Sequence, residues 1–68
     1  MHKVYHRIEQ IAGNVITVRA EGVMNGELAQ VVGTLSTSLA QVIRLEKDKV
    51  FLQVFAGSRG IATDGQVR

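Results

Sequence analysis

Leu39-Ala40-Gln41-Val42-Ile43-Arg44-Leu45-Glu46-Lys47-Asp48-Lys49-Val50-Phe51-Leu52-Gln53-Val54-Phe55 is the stretch on which the fold turns. Its first half, taken with Thr37-Ser38 ahead of it, can be written as a helix capped by Ser36 or Ser38, because Gln41 stands three residues after Ser38 as in a capping box. Its second half cannot. Val50 to Phe55 is rich in β-branched and aromatic residues, and the alternating charges of Glu46-Lys47-Asp48-Lys49 between two apolar runs have the form of a hairpin tip. Local pairing of the two runs is the simpler explanation, so both halves are read as strands.

The same pattern continues outward. Val15 to Ala20 and Leu28 to Val32 are further strand candidates, Val4 to Ile11 is a fifth with Ile8 and Ile11 among polar neighbours, and Gln66-Val67-Arg68 begins a sixth. Turn signals separate them at Gly13-Asn14, Gly22, Asn25-Gly26, Gly33, Lys47-Asp48, Gly57 to Gly60 and Asp64-Gly65. Strands spaced this way predict an all-β fold, a small closed antiparallel β-barrel of about six short strands. A faint internal repeat agrees with it. Ile16-Thr17-Val18-Arg19-Ala20 can be laid on Leu52-Gln53-Val54-Phe55-Ala56, with Asn25-Gly26-Glu27-Leu28 falling on Asp64-Gly65-Gln66-Val67. In a barrel of two such halves, each closes the edge the other leaves open.

With 68 residues there is room for a single domain, 1–68, and one small core that must absorb most of the 46% hydrophobic fraction. Little is left for an enclosed active site. The absence of cysteine excludes disulfides, thiolate metal sites and a cysteine nucleophile, and fits a reducing compartment. No apolar run approaches a membrane span and the first residues have no signal-peptide pattern, so the expectation is a soluble intracellular domain. The net charge of +2 comes from interspersed signs, and the only aromatics are one tyrosine and two phenylalanines. Nucleic-acid binding, which needs a basic face or stacking platforms, is not expected.

Candidate chemistry is sparse. His2 and His6 are four apart, a metal-binding spacing on a helix, but the segment reads as strand and no third ligand stands nearby, so no metal is expected. Gly57-Ser58-Arg59-Gly60 has the ingredients of an anion nest yet lacks a Walker ending, and two glycines in a tight turn explain it without a ligand. Ser36, Thr37 and Ser38 have no glycine-flanked elbow around them, and Glu46 and Asp48 flank a lysine in a solvated hairpin tip. No catalytic residue and no cofactor are assigned, and the chain is not expected to be an enzyme.

Two resemblances stand out. Leu45 to Val54 with Gly60-Ile61 resembles the modified hairpin of lipoyl domains, which would make Lys49 an attachment site and the chain a small carrier or interaction module; that match covers about a quarter of the chain. Far more of it is similar to the N-terminal barrel domain of the B subunit of V-type (archaeal and bacterial) ATP synthases, in the rotary ATPase superfamily. The matching stretches are Ile8 to Val18, Gly22-Val23-Met24-Asn25-Gly26-Glu27-Leu28-Ala29, Leu52 to Phe55 and Gly57 to Ile61, in that order. The resemblance implies a roughly six-stranded barrel at the membrane-distal end of a hexameric head, in a non-catalytic subunit, with barrels of alternating A and B subunits forming a collar. It implies catalytic A subunits as partners, a cytoplasmic place peripheral to the membrane without insertion into it, and a part in ATP synthesis and proton transport by the complex. It also implies an excised N-terminal domain with its last strand near the chain end and no small-molecule substrate of its own.

One surface can be named from the strand itself. Val50, Leu52 and Val54 share one side and Phe51, Gln53 and Phe55 the other. A narrow barrel interior suits Val and Leu better than stacked phenylalanines, which places Phe51, Gln53 and Phe55 outside as a subunit interface. On that basis Phe51→Ser is expected to cost the isolated domain less than about 1 kcal/mol.

Overall fold

Apolar residues at alternate positions bury one face of Val15–Glu21, Leu28–Val32 and Lys49–Val54, whereas Val4–Ala12 buries only Ile8, in the computed structural model, which describes residues 3–34, 36–57 and 60–68. The strands are β1 (Val4–Ala12), β2 (Val15–Glu21), β3 (Leu28–Val32), β4 (Thr37–Glu46), β5 (Lys49–Val54) and β6 (Gln66–Val67). Thr37 to Leu45, the segment that could be written as a helix, is strand. All ladders are antiparallel and run in the order β1-β2-β5-β4-β3-β6. β1 then packs against β6 without ladder pairing, which makes a nearly closed barrel.

The interior is filled by small branched side chains. Ile16, Val18, Val31, Val42, Val50, Leu52 and Val54 are fully buried, and no polar or charged side chain among the described residues joins them. A barrel this narrow has no room for larger groups, which is why its inner layers are mostly valine and alanine. Tyr5, Ile11 and Val23, partly buried, pack against this core.

Register shifts adjust two of the ladders, in β1 between Tyr5 and Ile8 and between Ile8 and Gln10, and again in β4. In β4 the register shifts between Val42, opposite Leu52, and Arg44, opposite Phe51, so Ile43 is the extra residue of a bulge. Asn25, with its amide turned so that nitrogen faces the strand, reaches the carbonyls of Val42 at 3.2 Å and Ile43 at 3.3 Å. The hairpin tip consists of Lys47 and Asp48, and Lys47 takes a left-handed φ of 56°.

The internal repeat is real, with one correction. Ile16 pairs with Leu52 and is flanked by Val15↔Gln53 and Thr17↔Phe51, so a shift of 36 residues maps this ladder onto itself. A local two-fold axis passes through the Ile16/Leu52 pair. For the later strands the sequence motifs set Asn25-Gly26 on Asp64-Gly65, whereas the structure shifts by 38. Gly22 (φ 75°) then corresponds to Gly60 (φ 84°), and the turn bond from Glu27 N to Met24 O corresponds to that from Gly65 N to Ala62 O. Inward-facing Val23 and Ala29 likewise correspond to Ile61 and Val67. The second half carries two extra residues in its glycine loop, and that insertion misaligned the motifs.

Candidate functional site

β5 divides its side chains as its alternation requires. Val50, Leu52 and Val54 are 1%, 0% and 1% exposed, while Phe51, Gln53 and Phe55 lie on the outer side. The outward three are unequal. Phe55, just beyond the strand, is 55% exposed, and its backbone N–H donates to the Leu39 carbonyl at 3.0 Å. That bond holds Phe55 beside β4, where Leu39 is itself 46% exposed. Gln53 sits between Gln41 of β4 and Val15 of β2 and is open to solvent.

Phe51 faces out but is mostly covered by its own sheet. Thr17 lies opposite it on β2, and the guanidinium carbon of Arg44 stands 4.8 Å from its ring centroid. Arg44 is in turn held by an ion pair with Glu46. This cation–π contact exists because the β4 bulge brings Arg44, not Ile43, opposite Phe51. The sequence offers no sign of that bulge, so the ring's coverage is not readable from it. Leu39, and Ile43 at 44% exposure, also belong to the outer apolar surface and are missed by the sequence reading. The alternation of Ala40 and Val42 against Leu39 is the available signal for the first of them.

Beside this face lies a charged flank. Arg19 of β2 donates to Glu9 at 2.5 Å and to Asp48 at 2.7 Å, and Lys49 approaches Glu9 at 4.0 Å. Glu9 first, then Asp48, holds the Arg19 guanidinium above its ordinary range. His6 meets Glu21 at 3.3 Å. Glu46 and Asp48 are ion-pair partners of Arg44 and Arg19, consistent with a solvated hairpin tip. At the start of β1 the Lys3 ammonium lies 3.0 Å from Glu27 Oε1, and the carboxylate raises the Lys3 pKa. Tyr5 has a buried hydroxyl with no hydrogen-bond partner, and desolvation pushes its pKa up.

The remaining sequence candidates do not assemble a site. His2 lies outside the described residues, and no group of three or more potential metal ligands gathers among those described. Ser58 and Arg59 also lie outside them, while Gly57 and Gly60 both have φ of 84°, as a glycine turn requires. Lys49 is not at the hairpin tip, as the lipoyl resemblance would have it, but within β5, paired to Glu46 and Arg19. No helix among the described residues is long and apolar enough to cross a membrane.

The barrel agrees with family comparison. Residues 8–68 match the model of the ATP synthase alpha/beta family, beta-barrel domain. The chain belongs to that family. It is 60% identical over all 68 residues to V-type ATP synthase beta chain 1 of Treponema pallidum, 57% to the V-type ATP synthase beta chain of Treponema denticola and 52% to that of Borreliella burgdorferi. In each case the whole chain is covered, and it spans 16% of the relative's length. The resemblance to the N-terminal barrel of the V-type beta chain thus holds through the full chain, well beyond the short lipoyl-like segment.

Proposed function

We propose that this barrel is a structural and assembly domain of a non-catalytic V-type ATP synthase subunit, and that its outward β4–β5 surface contacts a neighbouring subunit. The reading is supported by one observation above all: the core is completed by Val50, Leu52 and Val54, yet the opposite side of the same strand ends in Phe55, 55% exposed beside Leu39. An apolar patch that the fold does not need for itself is the mark of a contact surface. Phe51, Gln53 and Phe55 are its proposed residues, the catalytic A subunits its partners, and a collar of barrels in a soluble, cytoplasmic head its place. The chain takes part in ion-driven ATP synthesis through assembly and carries no catalytic group.

The test is reconstitution of the head with a Phe55→Ser subunit. The expected result is a barrel that remains folded and a head that assembles less completely or dissociates at lower denaturant concentration. Heads that form and persist as well as the parent's would refute the reading. The carrier alternative with Lys49 as attachment site has no structural observation in its favour, because Lys49 sits in a paired strand beside Glu9.

A further inference from the structure

The β4 bulge is a choice between two neighbouring arrangements. Val42 opposite Leu52 and Leu45 opposite Val50 fix the ladder on either side, and between them β4 has Ile43 and Arg44 where β5 has Phe51 alone. Either residue can stand opposite the ring with the other as the extra one, and both arrangements leave the hairpin tip and the inward side of β4 unchanged. In the structure Arg44 is opposite Phe51, and Ile43 is the extra residue, 44% exposed. Apolar burial alone favours the reverse, because isoleucine gains more than arginine from covering a phenylalanine ring. The ring contact of Arg44 at 4.8 Å and its ion pair with Glu46 both lie at the surface, where such contacts are weak.

The turn at residues 24–27 supplies what these contacts do not. Val42 N donates to the Glu27 carbonyl at 2.8 Å and Gly26 N donates to the Val42 carbonyl at 2.8 Å, so both main-chain groups of Val42 face the turn. In a regular strand the next carbonyl points the other way, which would aim that of Ile43 at β5. Instead the Asn25 amide nitrogen lies 3.2 Å from the Val42 oxygen and 3.3 Å from the Ile43 oxygen, so two consecutive carbonyls converge on one donor. That convergence requires Ile43 to be the extra residue. With Arg44 in that role, Ile43 returns to the regular ladder and its carbonyl turns away from Asn25. Two further bonds hold the turn in place, Gln41 Nε2 to the Gly26 carbonyl at 3.1 Å and Glu27 N to the Met24 carbonyl at 3.3 Å.

We propose that Asn25 is a positioning residue that selects which β4 side chain covers Phe51. With its amide in place, a cation lies over the ring and an isoleucine stands free on the outer surface. Without it the bulge moves one residue along, Ile43 covers the ring and Arg44 becomes the extruded group. The consequence for assembly rests on the subunit-contact reading: Asn25 keeps an apolar group, and not an unpaired charge, exposed on the β4–β5 surface.

The test is nuclear magnetic resonance on the isotope-labelled 68-residue chain. In the parent, a scalar coupling through the hydrogen bond from the Asn25 side-chain nitrogen to the Ile43 carbonyl carbon is expected, together with Overhauser contacts between the Phe51 ring and the Arg44 δ protons. In Asn25→Ala those contacts should pass to the Ile43 methyl groups, and the energetic coupling of Arg44 to Phe51 in a double-mutant cycle should vanish. A merely structural role for Asn25 lowers stability and leaves the Arg44 contact and its coupling intact. Persistence of that contact in Asn25→Ala, loss of both sets of contacts in a folded variant, or absence of the parent's coupling to the Ile43 carbonyl would overturn the proposal, the last whether or not the variant folds. All of these readouts come from one chain in solution, so failure of the subunit-contact reading in the reconstituted head leaves them untouched.

Discussion

Replacing Phe51 by serine separates the direction of a side chain from its coverage. The outward direction alone leads to an expected cost under about 1 kcal/mol, but Thr17 and Arg44 shield most of the ring. A phenylalanine offers about 200 Å² for burial, and shielding roughly two-thirds of it removes about 130 Å² from water. At about 25 cal/mol per Å² that is about 3 kcal/mol, reduced to about 2 because the unfolded chain already hides part of its apolar surface. The Arg44 contact adds about 0.5–1 kcal/mol at an exposed site. The expected cost is therefore about 2–3 kcal/mol, against a total stability of about 3–10 kcal/mol for a chain of this length. Urea unfolding followed by far-ultraviolet circular dichroism should show the midpoint falling by about 2 M with little change in slope, taking a slope of about 1 kcal/mol per molar. Repeating the experiment in an Arg44→Ala background should recover a coupling of about 0.5–1 kcal/mol. A loss below about 0.5 kcal/mol, or no coupling to Arg44, would refute the argument from coverage.

The other predictions concern the loops, the titrating groups and the exposed face. Gly65→Ala should destabilise by about 1–3 kcal/mol in the same urea assay, because its Cβ would stand 2.9 Å from the Val32 carbonyl and 3.1 Å from that of Ala62; a neutral result would show that the turn yields easily. Asn25→Ala should cost about 1 kcal/mol by taking the side-chain donor from the Ile43 carbonyl, the Val42 carbonyl still accepting from Gly26 N, and Asn25→Asp more, since it sets carboxylate oxygen against carbonyl oxygen. Lys3 and Tyr5 both hold their protons more tightly when folded, so their contribution is complete below about pH 10 and is lost as pH climbs through the raised values; urea midpoints should fall from about pH 9 to about pH 11, and a rise would contradict it. Phe55→Arg should leave the isolated barrel within about 1 kcal/mol of the parent, because the two-fold equivalent position already carries exposed Arg19, and unfolding of this variant would place Phe55 in the core instead.

Strand positions are legible because a barrel this small imposes a strict two-residue period. Leu28–Val32 matches the span read from sequence, and the other long strands differ from it by only one or two residues at an end. The inward side of β5 is legible for the same reason, since only Val50, Leu52 and Val54 fit the interior. What sequence could not supply is anything set by a break in that period. The β4 bulge at Ile43 moves Arg44 over Phe51, and no local residue marks it; the nearest sign is Asn25, far back along the chain, whose amide satisfies the bulge. The repeat shows the same limit. Aligning Asn25-Gly26 with Asp64-Gly65 by eye ignores inward parity, which sets Val23 against Ile61 and Gly22 against Gly60.

The two halves of the barrel share a backbone plan and differ in outer chemistry, and that difference bears on what the surface can do. Under the 36-residue shift, Val15, Thr17 and Arg19 of β2 correspond to Phe51, Gln53 and Phe55. On the β2 side, Arg19 is held by Glu9 and Asp48 within the barrel's own flank. On the β5 side, a backbone bond sets exposed Phe55 beside exposed Leu39. A surface ion pair is worth little and is screened by salt, whereas an exposed phenylalanine gains from being covered. With aromatic character on one and an ion-paired charge network on the other, the barrel offers two unlike faces. Any contact made through one face therefore differs in chemistry from a contact made through the other, and the difference sits in three outward positions of β5 with Phe55 and in their two-fold mates on β2.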